Sequence, residues 1–219
     1  MRQSSPMHAV GSVAKALALF LAVFTASTTS ASLTALLLNA KPWVAGLVAQ
    51  LSFLALSIAA MRLIGGGFED YGFRVDTSSL AKVSLTSIAC SAVLVHAVSI
   101  ASQGEKSPLE LPRDPVLLCL LLLLVAPVCE EVFLRGLVQG FLLRRGHFKL
   151  SIVVPALLFS AMHALPFSPV GPALLLALLS SALALGIIAG YFRAVSGSLL
   201  PAFLAHFWFN LVGLAAAHY

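Results

Sequence analysis

The chain has 219 residues, of which 60% are hydrophobic and only 10% are charged. A soluble globular domain is about half apolar and about a quarter charged, so this composition excludes that class and indicates a polytopic membrane protein. The formal net charge of +5 does not require a nucleic-acid partner, because excess Lys and Arg in membrane proteins usually collect in cytoplasmic loops. We therefore expect a lipid bilayer as the surrounding partner and no nucleic acid.

Apolar segments long enough to cross a bilayer follow one another along the whole chain. A spanning helix needs about 20 mostly apolar residues, and most of the Gly, Pro and charged residues lie between such runs. The predicted spans are 16–38, 43–64, 81–101, 116–143, 149–167, 171–192 and 198–217. The prediction is one all-α membrane domain, residues 1–219, built as a polytopic bundle of about seven transmembrane helices.

The first predicted span also has features of a signal peptide. Its stretch KALALFLAVFTASTTSAS begins with a basic residue, continues with a short apolar core, and ends in small residues. The following LTALLL extends the apolar run to the length of a membrane span. We therefore expect an uncleaved first helix.

Basic residues are distributed unevenly between the two sets of loops. With a cytoplasmic N-terminus, nine of them fall inside and three outside. The inside residues are Arg2, Lys15, Arg62, Arg74, Lys82, Arg144, Arg145, Lys149 and Arg193, and the outside residues are Lys41, Lys106 and Arg113. Cytoplasmic loops carry the excess of Lys and Arg, so the prediction is an N-terminus inside and a C-terminus outside.

Few strongly polar residues remain within the predicted spans. They are Glu130, Glu131 and Arg135 in the fourth span, His163 in the fifth, and His206 and Asn210 in the seventh. A charged residue at the bilayer centre costs about 2.5–3.5 kcal/mol on insertion scales, so such residues normally face the bundle interior and have a function. Gln50 and His96 are also polar, and we interpret both as ordinary interhelical contacts.

The spacing of the charged residues in the fourth span separates the two glutamates. Glu131 and Arg135 are four residues apart and share a helix face, which predicts an ion pair. Glu130 lies about 100° round the helix from Glu131, so we expect it to point toward another helix. A Glu–Arg pair alone fits a structural bridge as well as a functional one.

The same four-residue spacing occurs in two other spans. His206 and Asn210 present an imidazole and an amide on one face of the seventh helix, and Phe159 lies one turn before His163 in the fifth. A carboxylate, two imidazoles and an amide together have the chemistry needed to activate water and stabilise an oxyanion.

Three motifs in this order suggest a family. They are E-E-x-x-x-R at 130–135, F-x-x-x-H at 159–163 and H-x-x-x-N at 206–210. Together they resemble the CAAX-processing and bacteriocin-self-immunity family of intramembrane proteases, which includes the type II CAAX prenyl endopeptidase. The stretch DYGFR at 70–74 is similar to a short loop of bacterial members. The resemblance implies a protease core at 61–217 preceded by N-terminal helices at 1–60.

The resemblance also implies a reaction and a role for each residue. The chain would be a glutamic-type intramembrane endopeptidase of a bacterial inner membrane, without a cofactor. Glu130 would take a proton from a water molecule that His163 helps to orient and activate. His206 and Asn210 would donate hydrogen bonds to the oxyanion. The supporting residues would be Glu131, Arg135 and Phe159.

Several alternatives stay open at this point. Glu130, His163 and His206 could hold zinc with an open fourth position for water, although no H-E-x-x-H is present and Asn210 fits better as an oxyanion donor. A nucleophilic Cys129 is less suitable, because a thiol in apolar surroundings is inert. A non-enzymatic immunity or transport protein could also keep polar residues in the membrane.

The substrate class follows only from the resemblance. A membrane-associated peptide or protein is expected, and prenylated peptides, bacteriocin precursors and C-terminal sorting tails are all compatible with it. Nothing in the sequence selects among them.

Overall fold

The computed structural model describes residues 6–105 and 108–217, which contain helices and no strand. The helices are α1 Pro6–Leu38, α2 Pro42–Ile64, α3 Leu80–Ser102, α4 Pro115–Leu143, α5 Phe148–Ala164, α6 Pro172–Ser196 and α7 Leu200–Ala216. Each predicted span overlaps one of these helices, so the predicted all-α membrane bundle is confirmed. The first helix begins ten residues before its predicted span and so includes Lys15, which the orientation argument placed outside the span. A short 3-10 turn, Phe68–Tyr71, lies between α2 and α3.

The helices differ in how fully they can cross a bilayer. Five have the length and apolar composition of a membrane span, whereas α5 and α7 are apolar but have only 17 residues each. At 1.5 Å per residue, 17 residues extend about 26 Å, which is the lower limit for crossing the hydrocarbon core. These two short helices are the ones that carry the candidate histidines His163 and His206.

The α6 helix is longer than predicted, and this changes the position of one arginine. The predicted span ended at residue 192, but the helix continues to Ser196 and is ended by Gly197 in the left-handed conformation. Arg193, which the orientation argument treated as a loop residue, therefore lies in the last turn of α6, where it is 2% exposed.

The α4 helix is interrupted by two wider, π-helical turns, Leu121–Val125 and Val132–Val138. Pro127 has no N–H, so it cannot donate the usual bond to the carbonyl four residues earlier, and the first wide turn ends two residues before it. The α-helical stretch Ala126–Glu131, which contains both glutamates, lies between the two turns. Such turns are frequent at functional sites.

The N-terminal helices form part of the core around α4. The ring of Phe133 is fully buried and stacks on Phe53 of α2 at 5.0 Å and on Phe20 of α1 at 5.4 Å. Residues 1–60, which the family resemblance leaves outside the protease core, thus supply part of the surface against which α4 packs.

The loops gather at two opposite ends, as alternating helices require. At one end, the loop 65–79 hydrogen-bonds to Arg144 and to the turn 197–199. At the other end, the N–H of Gly171 donates to the carboxylate of Glu105 at 2.9 Å. Arg2 and Lys106, two of the basic residues used for orientation, lie outside the described residues, and the direction in which the bundle crosses the membrane stays a prediction.

Candidate active site

The two glutamates of α4 are buried in the middle of the bundle and have different partners. Glu131 is fully buried, and its Oε1 accepts a hydrogen bond from Nη1 of the fully buried Arg135 at 3.1 Å, which is the ion pair expected from the spacing. The Arg135 guanidinium also lies over the Phe159 ring, 4.8 Å from its centre. Glu130 is 6% exposed and pairs with no arginine or lysine among the described residues.

His206 of α7 lies between the two carboxylates. Its Nδ1 is 2.9 Å from Glu131 Oε1, and its Nε2 is 3.8 Å from Glu130 Oε2. A carboxylate oxygen can only accept, so Nδ1 carries the hydrogen of the shorter contact. Glu130 points toward another helix, as predicted, because its hydrogen bond comes from Gln50 of α2. The spacing did not predict that His206 also faces both glutamates. Because an imidazole has a nitrogen on two different edges, one ring of α7 faces both glutamates.

A glutamine from α2 completes the surroundings of Glu130. The Nε2 of Gln50 donates to Glu130 Oε1 at 2.6 Å, while the buried Oε1 of Gln50 has no hydrogen-bond partner in the part of the chain that the structure describes. The sequence analysis interpreted Gln50 as an ordinary interhelical contact. It is an interhelical contact, but its partner is the candidate base. The sequence feature that could have indicated this contact is that Gln50 is the one amide side chain in the second predicted span.

His163 of α5 is separated from His206 by the ring of Phe159. Its Nδ1 donates to the carbonyl of Phe159 at 2.7 Å, one turn earlier in α5. The Phe159 ring contacts His163 edge-on at 4.7 Å and His206 edge-on at 5.5 Å, so it lies between the two imidazoles. Among the described residues, His163 and Glu130 share no direct hydrogen bond.

Asn210 lies one turn after His206 on α7 but does not join the carboxylates. Its Nδ2 donates to the carbonyl of Leu122 at 2.7 Å. Leu122 belongs to the first wide turn of α4, so the amide of α7 binds a carbonyl in an irregular part of that helix. The side-chain amide has two N–H groups, and this bond uses one of them.

Several polar atoms in this cluster have no hydrogen-bond partner within the described residues. They are Oε2 of Glu131 and both Nε and Nη2 of Arg135, and all are buried. Buried polar groups in native proteins are normally paired with protein or ordered water. The cluster therefore has donors and acceptors that water or a polar ligand could bind.

The three residues considered as zinc ligands do not form a compact ligand set. Across residues 6–105 and 108–217, no group of three His, Cys, Asp or Glu side chains is placed to share a metal ion. The Nδ1 atoms of His163 and His206 are both engaged by other acceptors. Cys129, the other alternative, is 2% exposed and lies next to Glu130 in the chain.

Comparison with known proteins identifies one family. Residues 112–212 match the family model described as type II CAAX prenyl endopeptidase Rce1-like. The matched segment contains every candidate residue of α4, α5 and α7, whereas Gln50 lies before it. No curated protein and no solved structure matches the chain. The motifs, the buried cluster and the match to residues 112–212 agree: this part of the chain is similar to the CAAX proteases, a family of membrane proteases.

Proposed function

We propose that the chain is an intramembrane endopeptidase in which Glu130, assisted by His163, activates the attacking water. The observation that carries this proposal is the burial and hydrogen bonding of the Glu130 carboxylate. Its carboxylate is buried within a membrane helix, is held by Gln50 at 2.6 Å, and has no cationic Arg or Lys partner among the described residues. A buried carboxylate that is held in position by a neutral amide and pairs with no Arg or Lys among the described residues is suited to take a proton.

The hydrogen bonding of His163 supports its role beside Glu130. Its Nδ1–H is used by the Phe159 carbonyl, so the neutral ring presents Nε2 as an acceptor. An acceptor nitrogen and a carboxylate oxygen can together bind the two hydrogens of one water molecule. Glu130 then receives the proton as the water attacks the peptide carbonyl.

His206 and Asn210 are the proposed oxyanion donors. Because Nδ1–H of His206 donates to Glu131, its Nε2 donates to an oxyanion only when the ring carries both protons. The carboxylates on either side of the ring balance that positive charge. Asn210 keeps a second N–H beyond the one used by the Leu122 carbonyl. Donors fixed in a dry site stabilise developing negative charge more strongly than water does.

The substrate proposed for this site is a peptide or protein segment that reaches the active site from the membrane. The matching family is named for prenyl endopeptidases, so a prenylated CAAX peptide is the first substrate to test. Bacteriocin precursors and C-terminal sorting tails are the next classes.

The test is cleavage by purified protein reconstituted in liposomes, with a prenylated CAAX peptide and mass-spectrometric detection of the products. Wild type should release a fragment with a new carboxyl terminus, and Glu130→Gln should lower the rate by at least about 10²-fold. Cys129→Ala is the matched control, because it alters the adjacent buried residue and should cleave like wild type. Equal cleavage by Glu130→Gln and wild type would refute the proposed base, and loss of cleavage in Cys129→Ala alone would indicate a thiol nucleophile.

A further inference from the structure

The loop 70–74 has a position in the fold that the protease site does not explain. It packs against the turn that joins α6 to α7, where Ser198 Oγ donates to the Arg74 carbonyl at 2.6 Å and the Leu199 N–H donates to the Gly72 carbonyl at 2.9 Å. Arg74 Nη2 in turn donates to the Ser196 carbonyl at 3.0 Å. These bonds hold the Arg74 side chain at the end of α6.

Arg193 is buried beside this contact, and few groups around it stabilise its positive charge. It is 2% exposed, and its Nη2 donates to the Asp70 carbonyl at 3.4 Å. Its buried Nε has no hydrogen-bond partner among the described residues. No carboxylate within the described residues pairs with it, and the charged side chain that acts on it is Arg74, which is also positive. A buried guanidinium without a counter-charge is strongly unfavourable, so a bound anion would stabilise this arrangement.

Two glycines shape the backbone around the arginines. Gly72 and Gly197 both have positive φ, +96° and +70°, which glycine adopts without strain. A Cβ on Gly72 would lie 2.7 Å from Cζ of Arg193, and one on Gly197 would lie 2.9 Å from Cζ of Arg74. Because neither glycine has a side chain, the guanidinium of Arg193 can pack against Gly72 and that of Arg74 against Gly197.

An apolar cavity adjoins Arg74, and Gly72 of its lining lies against Arg193. Its volume is about 290 Å³, and it is lined by Gly72, Phe73, Arg74, Val75, Leu199, Leu200 and Phe203. Val75 is largely exposed and Phe73 partly so. Positive charge therefore meets an apolar surface at the end of the bundle, where a membrane helix ends and a loop begins.

We propose that Arg74 and Arg193 bind the phosphate of an anionic phospholipid, with the first part of an acyl chain against the adjoining apolar cavity. Guanidinium groups match phosphate geometry, and the ligand supplies the charge that Arg193 lacks. Basic pockets between membrane helices on the cytoplasmic side bind anionic head groups, and this end of the bundle carries most of the basic residues. None of the residues that line the cavity is a candidate protease residue.

The experiment measures thermal unfolding of the delipidated protein in a neutral detergent, titrated with phosphatidylglycerol, phosphatidylcholine or inorganic phosphate. A ligand that binds the folded state raises the melting temperature with concentration, and the dependence gives an apparent Kd. Phosphatidylglycerol should raise the melting temperature, and zwitterionic phosphatidylcholine and free phosphate should not. Arg193→Met and Arg74→Gln should each weaken apparent phosphatidylglycerol binding by at least about fivefold, the effect of one basic residue near an anionic surface.

Arg62→Gln is the matched control. Arg62 is an exposed arginine at the same end, 5.7 Å from the Phe68 ring, and it does not line the cavity. Its variant should respond to phosphatidylglycerol like wild type. If Arg193→Met does not fold, Arg74→Gln decides, because Arg74 is exposed. Equal responses in all variants, no response in wild type, or an equal response to inorganic phosphate would each overturn the lipid assignment.

Discussion

Replacing each glutamate of α4 by glutamine in turn should separate a structural role from a catalytic one. In Glu131→Gln the new side chain has the same shape and can still accept from Arg135 and His206 through its oxygen. Its NH₂ group takes the position of Oε2, which has no hydrogen-bond partner among the described residues. The main loss is therefore the negative charge opposite a fully buried guanidinium.

The size of that loss can be estimated. Removing one partner of a buried ion pair costs about 3–5 kcal/mol, and the preserved hydrogen-bond geometry favours the lower end. For a chain of this size, about 3 kcal/mol lowers the melting temperature by about 6–12 °C. Glu130→Gln should melt near wild type, because the bond from Gln50 can persist and no Arg or Lys among the described residues loses its partner.

The assay is thermal unfolding of the two variants in detergent, followed by cleavage at equal amounts of folded protein. Glu131→Gln should melt early, with its lost activity following lost protein, and Glu130→Gln should fold normally and cleave at least about 10²-fold more slowly. Adding Arg135→Met to Glu131→Gln should recover part of the stability, since no lone charge remains. Equal melting temperatures, with Glu131→Gln alone inactive, would mean that the roles are exchanged.

Three further outcomes test other parts of the account. Reporter fusions after Arg74 and within 144–147 should read cytoplasmic and fusions after Arg113 external, and an external signal at 144–147 would contradict the orientation. Cleavage should survive removal of metal by a chelator, whereas restoration of an inactive chelated sample by one zinc ion per chain would favour a metalloprotease. Gln50→Leu, which removes the donor to Glu130, should lower kcat by about 10- to 100-fold with little change in KM, and an unchanged kcat would leave Gln50 as a packing contact.

The helices and the Glu131–Arg135 pair could be predicted from the sequence because both depend on local patterns. Apolar runs of span length separated by Gly and Pro define the helices, and a four-residue spacing defines the pair. The bond between Gln50 and Glu130 could not be predicted, because the residues are 80 positions apart and meet only through the packing of α2 on α4.

Side-chain and backbone geometry explain the other differences. The angular argument for Glu130 considered one contact edge per side chain, but the ring of His206 uses two edges and faces both glutamates. The partner of Asn210 is a backbone carbonyl in the first wide turn of α4, which residue types alone do not reveal. The burial of Arg193 followed from four additional helical residues in α6, and helix ends are the least certain part of such predictions.

The most direct test of the proposed protease compares peptide termini in membranes of cells that contain wild-type protein with those that contain Glu130→Gln at an equal level. This measurement does not assume a substrate. The account predicts a set of new carboxyl termini, with matching downstream fragments, that is present with wild type and absent with Glu130→Gln. Identical termini in the two membranes, with both proteins folded, would contradict the claim that Glu130 activates water for peptide cleavage.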